Sequence, residues 1–328
     1  MKSEIRVSAC AKINIGLQVF PRRNDGFHEI QSIFQTVSFP YGFRDVLTVE
    51  YDTDADFFFK VQCDSLKLPE DNTLFLAYKA FCSVTGLNLK GISVNLEKKI
   101  PSGAGLGGGS SDGASLVKAL EKLAEIHLSD FQLDNIASKI GSDVFFFIHC
   151  DFNQSESEKN LIEGTGCALV SGRGENVKLI QKRNDLFFLL VFPKVFSSTK
   201  EAYNLLDNLL DLKENMCYIN FTDFETMYNG FVSEWQFVNT FTPALSGKYL
   251  EIENCLNCIK KTGALYVEMS GSGSTCYGVF SSLKDAENAR VQIAQQGFRC
   301  AVVKYFASVS TVPENILLLN TEEQNADY

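Results

Sequence analysis

A glycine-rich segment, residues 101–112, constrains this chain more than any other part of its sequence. It reads PSGAGLGGGSSD, follows an apolar stretch and continues directly into a helical pattern. Each of its five glycines loses more backbone freedom on ordering than other residues do, so the segment would be costly as a generic loop. Free backbone N–H groups at the start of a helix form a site for phosphate. The segment therefore predicts a phosphate-bearing ligand, with a nucleotide as the first expectation.

The overall charge limits how such a ligand could be bound. The chain has 328 residues, of which 21% are charged and 45% hydrophobic, and its formal net charge is -10. This acidic balance argues against a general binder of nucleic acid or membrane surfaces. An anionic ligand must therefore meet local cations and backbone N–H groups. The longest apolar run, residues 186–192, is too short to span a bilayer.

The cysteines indicate the compartment. All ten are scattered, and the first residues lack the apolar core of a signal peptide, which predicts reduced thiols and a cytoplasmic protein. Cys255 and Cys258 form a lone CxxC pair without a second pair or a histidine cluster, so we predict no metal-binding residues there. We expect a small molecule as the partner, no nucleic acid and no membrane, and a monomer or weak homodimer.

The spacing of apolar residues predicts an α+β fold with two domains. The polar stretch 151–160 interrupts the pattern and predicts an exposed insertion, so we divide the chain into domains 1–170 and 171–328. Apolar alternation or short apolar runs predict strands at 5–20, 30–39, 46–49, 56–62, 92–96, 186–192, 264–269, 275–280 and 300–306. Helical spacing predicts helices at 73–84, 114–128, 130–140, 198–212, 250–261 and 285–296.

The glycine segment fits two well-known nucleotide motifs poorly. Residues 103–108 match GxGxxG, but the helix-and-strand pattern of a dinucleotide-binding unit is missing, and Glu121 and Glu125 fall inside a predicted helix. A Walker A loop is excluded because no lysine follows the last glycine. A dinucleotide-dependent oxidoreductase therefore stays a weak alternative among proteins that bind a phosphate-bearing ligand.

Three further segments carry residues that suggest chemistry. Residues 9–17, ACAKINIGL, place Lys12 and Asn14 in an otherwise apolar strand, where a lysine is rare unless it is paired or functional. Asp143 stands between a predicted helix and a very apolar run, where it either caps a turn or serves a site. The turn 269–274, MSGSGS, requires its glycines for a tight hairpin at the least.

Together, AKINIGL, PSGAGLGGGSSD and MSGSGS resemble the three motifs of the GHMP kinases, in the same order and across most of the chain. The segment 22–29, RRNDGFHE, together with Gly107–Gly109 and residues 141–144, is similar to the branch that phosphorylates a cytidine-bearing alcohol in the non-mevalonate route to isoprenoid precursors. The resemblance implies a two-domain fold, with an N-terminal domain like domain 2 of ribosomal protein S5 and a C-terminal ferredoxin-like α/β sandwich. Another small alcohol as acceptor stays the alternative.

The resemblance also implies the site. ATP with Mg²⁺ would be the phosphoryl donor, and the acceptor would be the 2-hydroxyl of 4-diphosphocytidyl-2-C-methyl-D-erythritol. Asp143 would be the catalytic carboxylate, as a base or as an electrostatic positioner, and Lys12 would pair with it. The ATP-binding residues would be Pro101, Ser102, Gly103, Ala104, Gly105, Leu106, Gly107, Gly108, Gly109, Ser110, Ser111 and, on the adenine side, Asn72. The acceptor-binding residues would be Asn14, Phe27, His28, Thr199 and Tyr203.

Overall fold

The computed structural model describes residues 2–37, 43–154, 161–212 and 218–304, which form two lobes. The N-terminal lobe contains β1 (Lys2–Arg22), β2 (His28–Val37), β3 (Arg44–Asp52), β4 (Phe59–Gln62), α1 (Thr73–Thr85), β5 (Ile92–Glu97), α2 (Gly108–Leu123), α3 (Asp130–Ser138), α4 (Ser142–Ile148), β6 (Asp151–Gln154), β7 (Leu161–Thr165), β8 (Cys167–Gly172) and β9 (Asn176–Leu179). The C-terminal lobe contains β10 (Phe187–Phe192), α5 (Thr199–Leu212), α6 (Phe224–Asn229), α7 (Phe241–Lys248), α8 (Leu250–Lys260), β11 (Tyr266–Met269), β12 (Cys276–Phe280), α9 (Leu283–Gln295) and β13 (Arg299–Lys304).

The long strand β1 organises the N-terminal lobe. It pairs antiparallel with β2 and β3 and parallel with β7, within a sheet of order β4-β5-β3-β1-β2-β8-β9. Its residues from Val7 to Val19 are all buried, because helices pack on one face and the C-terminal lobe on the other. The pairing with β2 shifts by one residue at Gly16, where the backbone has φ +67° and Phe237 packs closely. Functional side chains on β1 therefore lie between the two lobes.

The helix after the glycine-rich segment begins earlier than its apolar spacing predicts. α2 starts at Gly108 rather than at residue 114, so the last glycines and both serines belong to its first turn. Apolar spacing cannot detect this turn, because glycine and serine carry no apolar side chain that would mark a face. Asp143 likewise lies in the first turn of the short helix α4 rather than in a loop.

The C-terminal lobe has an antiparallel sheet of order β11-β12-β10-β13, with helices in the two long connections. This is the strand order of a ferredoxin-like fold and agrees with the expected α/β sandwich. The division between residues 170 and 171 stays a prediction. Because β8 and β9 belong to the first sheet, we favour a division in the link between Leu179 and Phe187.

Some predictions concern residues outside the described ranges, and some elements of the structure were not predicted. Residues 151–154 of the expected insertion form β6, which pairs with β7, whereas 155–160 and the acidic tail from residue 321 lie outside the described part. Strands β7 to β9 and helices α6 and α7 have no counterpart among the predicted elements. No helix within the described ranges combines the length and apolar composition needed to cross a bilayer.

Candidate active site

Lys12 lies at the centre of the site, in the buried middle of β1. Only 3% of its surface is exposed, and its Nζ is 3.4 Å from Oδ2 of Asp143. The same ammonium group donates a 2.7 Å hydrogen bond to Oδ1 of Asn14 and lies 4.7 Å from the ring centre of Phe34. A buried ammonium group is stable only when it is paired in this way. The lysine that was unusual in sequence is therefore paired with the aspartate predicted to act with it.

Asp143 reaches the lysine from the start of α4 and keeps a third of its side chain exposed. Gly107 lies against the same pair, since a β-carbon there would be 3.1 Å from Lys12 Cε and 2.9 Å from the ring of Phe147. The backbone N–H of Lys12 also donates to the carbonyl of Leu106 at 2.9 Å. The ion pair and the glycine-rich segment thus form one continuous site with an opening beside the carboxylate.

Both the oxygen and the nitrogen of the Asn14 side-chain amide form hydrogen bonds within this site. Its Oδ1 accepts from Lys12, and its Nδ2 donates to Ser32 Oγ at 3.1 Å, while Ser32 donates to the carbonyl of Gly16 at 2.5 Å. This chain of hydrogen bonds fixes the orientation of the lysine. Asn14 therefore positions Lys12, in addition to any contact that it makes with an acceptor.

The start of α2 has the geometry of an anion site. Gly107, with φ +69°, is its N-cap and makes no side-chain capping bond, so the first N–H groups of the helix lack a capping side chain. At Gly109 the nearest atom to an added β-carbon would be Thr73 Oγ1 at 3.4 Å, which is ordinary contact. The space over Gly109 is therefore free of protein backbone.

Other glycines of the segment make room for protein instead. A β-carbon on Gly105, where φ is +76°, would lie 2.2 Å from the carbonyl oxygen of Ser270 in the second glycine turn. Ser270 Oγ donates to the carbonyl of Gly105 at 2.9 Å and accepts from the N–H of Asn14 at 3.3 Å. Tyr277 donates to the carbonyl of Asn14 at 2.8 Å. The turn between β11 and β12 therefore supports both the glycine segment and β1.

A buried cluster of charged side chains supports the start of α2. This cluster was not predicted from the sequence. Lys98 pairs with Asp112 at 2.8 Å and also with Asp45, whose other oxygen accepts from the backbone N–H groups of Lys99 and Ile100. Burial raises the pKa of Asp112 to about 7 against the opposing effect of Lys98. Burial lowers the pKa of Lys98, but the two carboxylates outweigh it and leave that pKa raised. The three residues are far apart in sequence, and no local pattern joins them.

A second group of predicted residues lies at the far end of β1. His28 is buried, its Nδ1 is 2.8 Å from the carbonyl oxygen of Phe20, and its ring centre is 4.8 Å from that of Tyr203. Phe27 is half exposed, and the guanidinium group of Arg173 lies 4.7 Å from its ring centre. The structure thus brings His28 and Tyr203 together and gives Phe27 a cationic neighbour that was not predicted.

The two remaining predicted residues lie at helix starts. Thr199 begins α5, and its Oγ1 is 3.2 Å from Ser272 Oγ in the second glycine turn. Asn72 caps α1, where its Oδ1 accepts from the N–H groups of Leu74 and Phe75 at 3.1 Å. Asn72 also lines a cavity of about 510 Å³, together with Phe59, Val61 and Phe75. The side-chain amide of Asn72 is thus committed to its helix, while the cavity beside it is open.

The two lobes, the helix-start anion site and the Lys12–Asp143 pair are the parts of a small-molecule kinase. Comparison with known proteins gives the same class. A family model described as "GHMP kinases N terminal domain" matches residues 72–151, and one described as "GHMP kinases C terminal" matches residues 220–299.

Relatives and solved structures narrow the class. A 4-diphosphocytidyl-2-C-methyl-D-erythritol kinase from Thermodesulfovibrio yellowstonii is 33% identical, covering 90% of this chain and 96% of the relative. A kinase of the same name from Treponema pallidum is 30% identical, and the match covers 92% of this chain and 98% of the relative. A crystal structure of 4-(cytidine 5'-diphospho)-2C-methyl-D-erythritol kinase has a TM-score of 0.68 at 25% identity, covering 93% and 99%. Homoserine kinase from Cytophaga hutchinsonii shares the fold, with a TM-score of 0.62 at 17% identity. The chain belongs to the GHMP kinases, in the family of 4-diphosphocytidyl-2-C-methyl-D-erythritol kinases.

Proposed function

We propose that this protein transfers the γ-phosphoryl group of ATP to the 2-hydroxyl of 4-diphosphocytidyl-2-C-methyl-D-erythritol, giving the 2-phosphate and ADP. This step belongs to the non-mevalonate synthesis of isoprenoid precursors. The observation that carries the proposal is the 3.4 Å pair of Lys12 and Asp143 directly beside a glycine-rich helix start. Phosphoryl transfer requires little covalent chemistry from the protein, but it does require held phosphates, a positioned hydroxyl and stabilised charge.

ATP fits along the N-terminal side of this site. The N–H groups of residues 103–110 and the positive end of α2 bind the phosphates, whereas the N–H of Ser111 already donates to the carbonyl of Gly107. The 510 Å³ cavity beside Asn72 accommodates the adenine, because its lining includes the aromatic residues Phe59 and Phe75. Thr73, the neighbour of Asn72, lies against Gly109, so the cavity adjoins the phosphate-binding turn.

Mg²⁺ enters with the nucleotide in this proposal. No group of three or more His, Cys, Asp or Glu side chains in the described ranges could hold a metal ion alone. Mg²⁺ usually keeps several waters and takes ligands from substrate phosphates, so it suits a site of this kind. The hydroxyl groups of Ser110 and Ser111, in the first turn of α2, would supply protein oxygens to the ion there. The ion neutralises charge on the transferring phosphoryl group.

Asp143 and Lys12 act on the acceptor. Asp143 accepts a hydrogen bond from the 2-hydroxyl, orients it toward the γ-phosphorus and receives its proton as the new P–O bond forms. A carboxylate is sufficient, because proton loss is late in a loose transition state. Lys12, held by Asn14, stabilises the negative charge that develops on the acceptor oxygen.

The cytidine end of the acceptor occupies the second group of residues. Tyr203 and Phe27 offer ring faces to the base, and His28 borders its edge. Asn14 contacts Lys12, and Thr199 lies one helical turn before Tyr203, so we assign both to the methylerythritol and diphosphate parts of the acceptor. We place the reaction in the cytoplasm, where thiols such as that of the buried Cys255 stay reduced.

The test is a phosphorylation assay with the purified protein, MgATP and the cytidylyl acceptor. We expect one equivalent of ADP per acceptor and a product that carries one additional phosphoryl group by mass spectrometry. The matched control is 2-C-methyl-D-erythritol 4-phosphate, which lacks the cytidine and should not be phosphorylated. Absence of ADP with the full acceptor would reject the proposal, and equal rates on both acceptors would favour a kinase for another small alcohol.

A further inference from the structure

One face of α5 lines the acceptor side of the site. Thr199, Tyr203 and Asp207 are spaced by four residues, so their side chains lie along the same face of the helix. Thr199 contacts Ser272, Tyr203 contacts the ring of His28, and Asp207 Oδ1 lies 3.3 Å from His28 Nε2. The helix therefore presents one carboxylate to the end of the site where the base is proposed to bind.

Tyr203 connects that carboxylate with the reacting end. Its ring packs edge-on against Phe241, with centres 5.0 Å apart, and it is mostly buried. Burial raises the pKa of Tyr203 to about 12, and the charges of Asp143 and Asp207 add to the rise. A carboxylate thus lies on each side of this tyrosine, one beside Lys12 and the other beside His28.

The geometry of His28 leaves part of Asp207 available. The carbonyl of Phe20 can only accept, so Nδ1 of His28 donates to it. A carboxylate also only accepts, so the 3.3 Å contact between Nε2 and Asp207 Oδ1 is a hydrogen bond when both ring nitrogens carry a proton. That contact uses one carboxylate oxygen. About a quarter of the Asp207 side chain, 27%, is exposed, so part of its carboxyl group is accessible from solvent next to His28.

We propose that Asp207 is a specificity-determining residue, whose second carboxylate oxygen accepts a hydrogen bond from the exocyclic amino group of the cytosine. This inference rests on the proposed function, since only a cytidine-bearing acceptor brings that group to the site. An ionised carboxylate only accepts hydrogen bonds. Cytosine presents an N4 amino donor at this position, whereas uracil presents an oxygen that the carboxylate repels. Asp207 therefore selects cytidine over uridine.

A purely structural role for Asp207 makes a different prediction. If it only held His28 in place, its loss would weaken binding of both bases by similar factors. If it reads the amino group, its loss changes the ratio between the bases. An asparagine amide can accept from cytosine N4 or donate to uracil O4, so Asp207→Asn should relax the preference while keeping the volume of the side chain.

The experiment measures kcat/KM for the cytidylyl acceptor and for its uridylyl analogue. The unsubstituted protein should prefer the cytidylyl acceptor, and D207N should reduce that preference about tenfold or more, in part by gaining activity on the uridylyl analogue. Glu201→Gln is the matched control, because Glu201 lies on the same helix but pairs with Lys248 and Tyr249. Its acceptor preference should equal that of the unsubstituted protein.

The possible results distinguish a failure of the inference about Asp207 from a failure of the proposed function. An unchanged ratio in an active D207N protein would overturn the role of Asp207 and leave the proposed function intact. No turnover of either acceptor by the unsubstituted protein would reject both. If D207N does not fold, Asp207→Ser, which also removes the charge and offers a hydroxyl that donates and accepts, is assayed for the same ratio.

Discussion

The side chain of Asp143 is the group on which the proposed chemistry depends most directly. It is a third exposed, and it lies 3.4 Å from an ammonium group that is almost fully buried. Lys12 has a second partner in Asn14, at 2.7 Å, so its position does not depend on the aspartate alone. Neutralising Asp143 should therefore change the reaction more than the fold.

We expect Asp143→Asn to lower kcat by about 10²- to 10⁴-fold, because an amide can neither take the proton of the hydroxyl nor carry the charge. ATP affinity, measured by calorimetry, should stay the same. Asp134→Asn is the control, since Asp134 is an exposed carboxylate that pairs with His149 on a neighbouring helix. Near-normal turnover by D143N would exclude Asp143 from the chemical step.

Asp112 should make stability depend on pH. Its pKa is raised from 3.8 to about 7, so its contribution to stability is complete below the lower value and is lost as pH rises through the higher one. Relative to Asp112→Asn, the unsubstituted protein should therefore have a more favourable free energy of unfolding at pH 5 than at pH 8. Urea unfolding of both proteins at the two pH values measures this difference, and an equal difference at both would contradict the assignment.

Single residues could be predicted where their type conflicts with their surroundings. Lys12 was conspicuous because a lysine is unexpected within an apolar strand, and Asp143 because it precedes an apolar run. Asp207 was missed because an aspartate on an amphipathic helix looks like an ordinary solvent-facing residue. Lys98 and Arg173 were missed because their partners are distant in sequence, and only the folded chain brings them together.

At the scale of elements, the glycine-rich segment has two different reasons for its composition. At Gly105 the carbonyl of Ser270 occupies the space of a side chain, whereas a β-carbon at Gly109 would meet only the side chain of Thr73, at ordinary contact distance. The sequence argument, that glycines permit a phosphate to approach, therefore fits Gly109, whereas at Gly108 a β-carbon would meet Ile100 and Lys98. Toward the start of the segment, the glycines permit another part of the same chain to approach.

This distinction can be tested by a pair of alanine substitutions in α2. Gly109→Ala should weaken ATP binding by about 10- to 100-fold, the equivalent of one charge-assisted hydrogen bond of about 1.5–3 kcal/mol. Gly113→Ala, further along the same helix, would meet only ordinary contacts, with Thr73 O at 3.5 Å, and should leave ATP affinity unchanged. Calorimetric titration with ATP measures both, and equal affinities would argue against a phosphate at Gly109.

Elements with strong periodicity were predicted well, and those defined by tertiary pairing were not. Helix α1 was expected at 73–84 and is found at Thr73–Thr85, where Asn72 caps it. Strand β8 was missed, although it pairs with β2 in regular antiparallel register. Its first residues lie within a buried sheet, so alternation does not distinguish its faces.

At the scale of the whole molecule, the site is assembled from both lobes. Ser270 in the C-terminal lobe donates to Gly105 and accepts from Asn14, and Tyr277 donates to Asn14. These contacts align β1 with the glycine-rich segment. The composition of the hairpin turn predicted its shape, but the separation of 256 residues between Asn14 and Ser270 could not be bridged by any local rule.

We expect Ser270→Ala to lower both stability and turnover. It removes one buried and one partly buried hydrogen bond and leaves a carbonyl and an N–H without this partner, which costs about 1–3 kcal/mol. Ser272→Ala in the same turn removes only an exposed hydroxyl contact and serves as the control. Urea unfolding and the kinase assay measure the two effects. Equal stability of both variants would show that the turn does not hold the site together.

The contact between Asn14 and Ser270 also sets the order in which the enzyme matures during its synthesis. At about 5–20 residues per second, a ribosome needs about 13–50 s to add the 256 residues that separate them. Throughout that interval, the N-terminal lobe can bury its helices against β1, but its phosphate-binding segment lacks the hydroxyl that supports it. The nascent chain therefore carries its lysine and glycines long before it becomes an enzyme, and competence arrives only after the hairpin of β11 and β12 has left the ribosome.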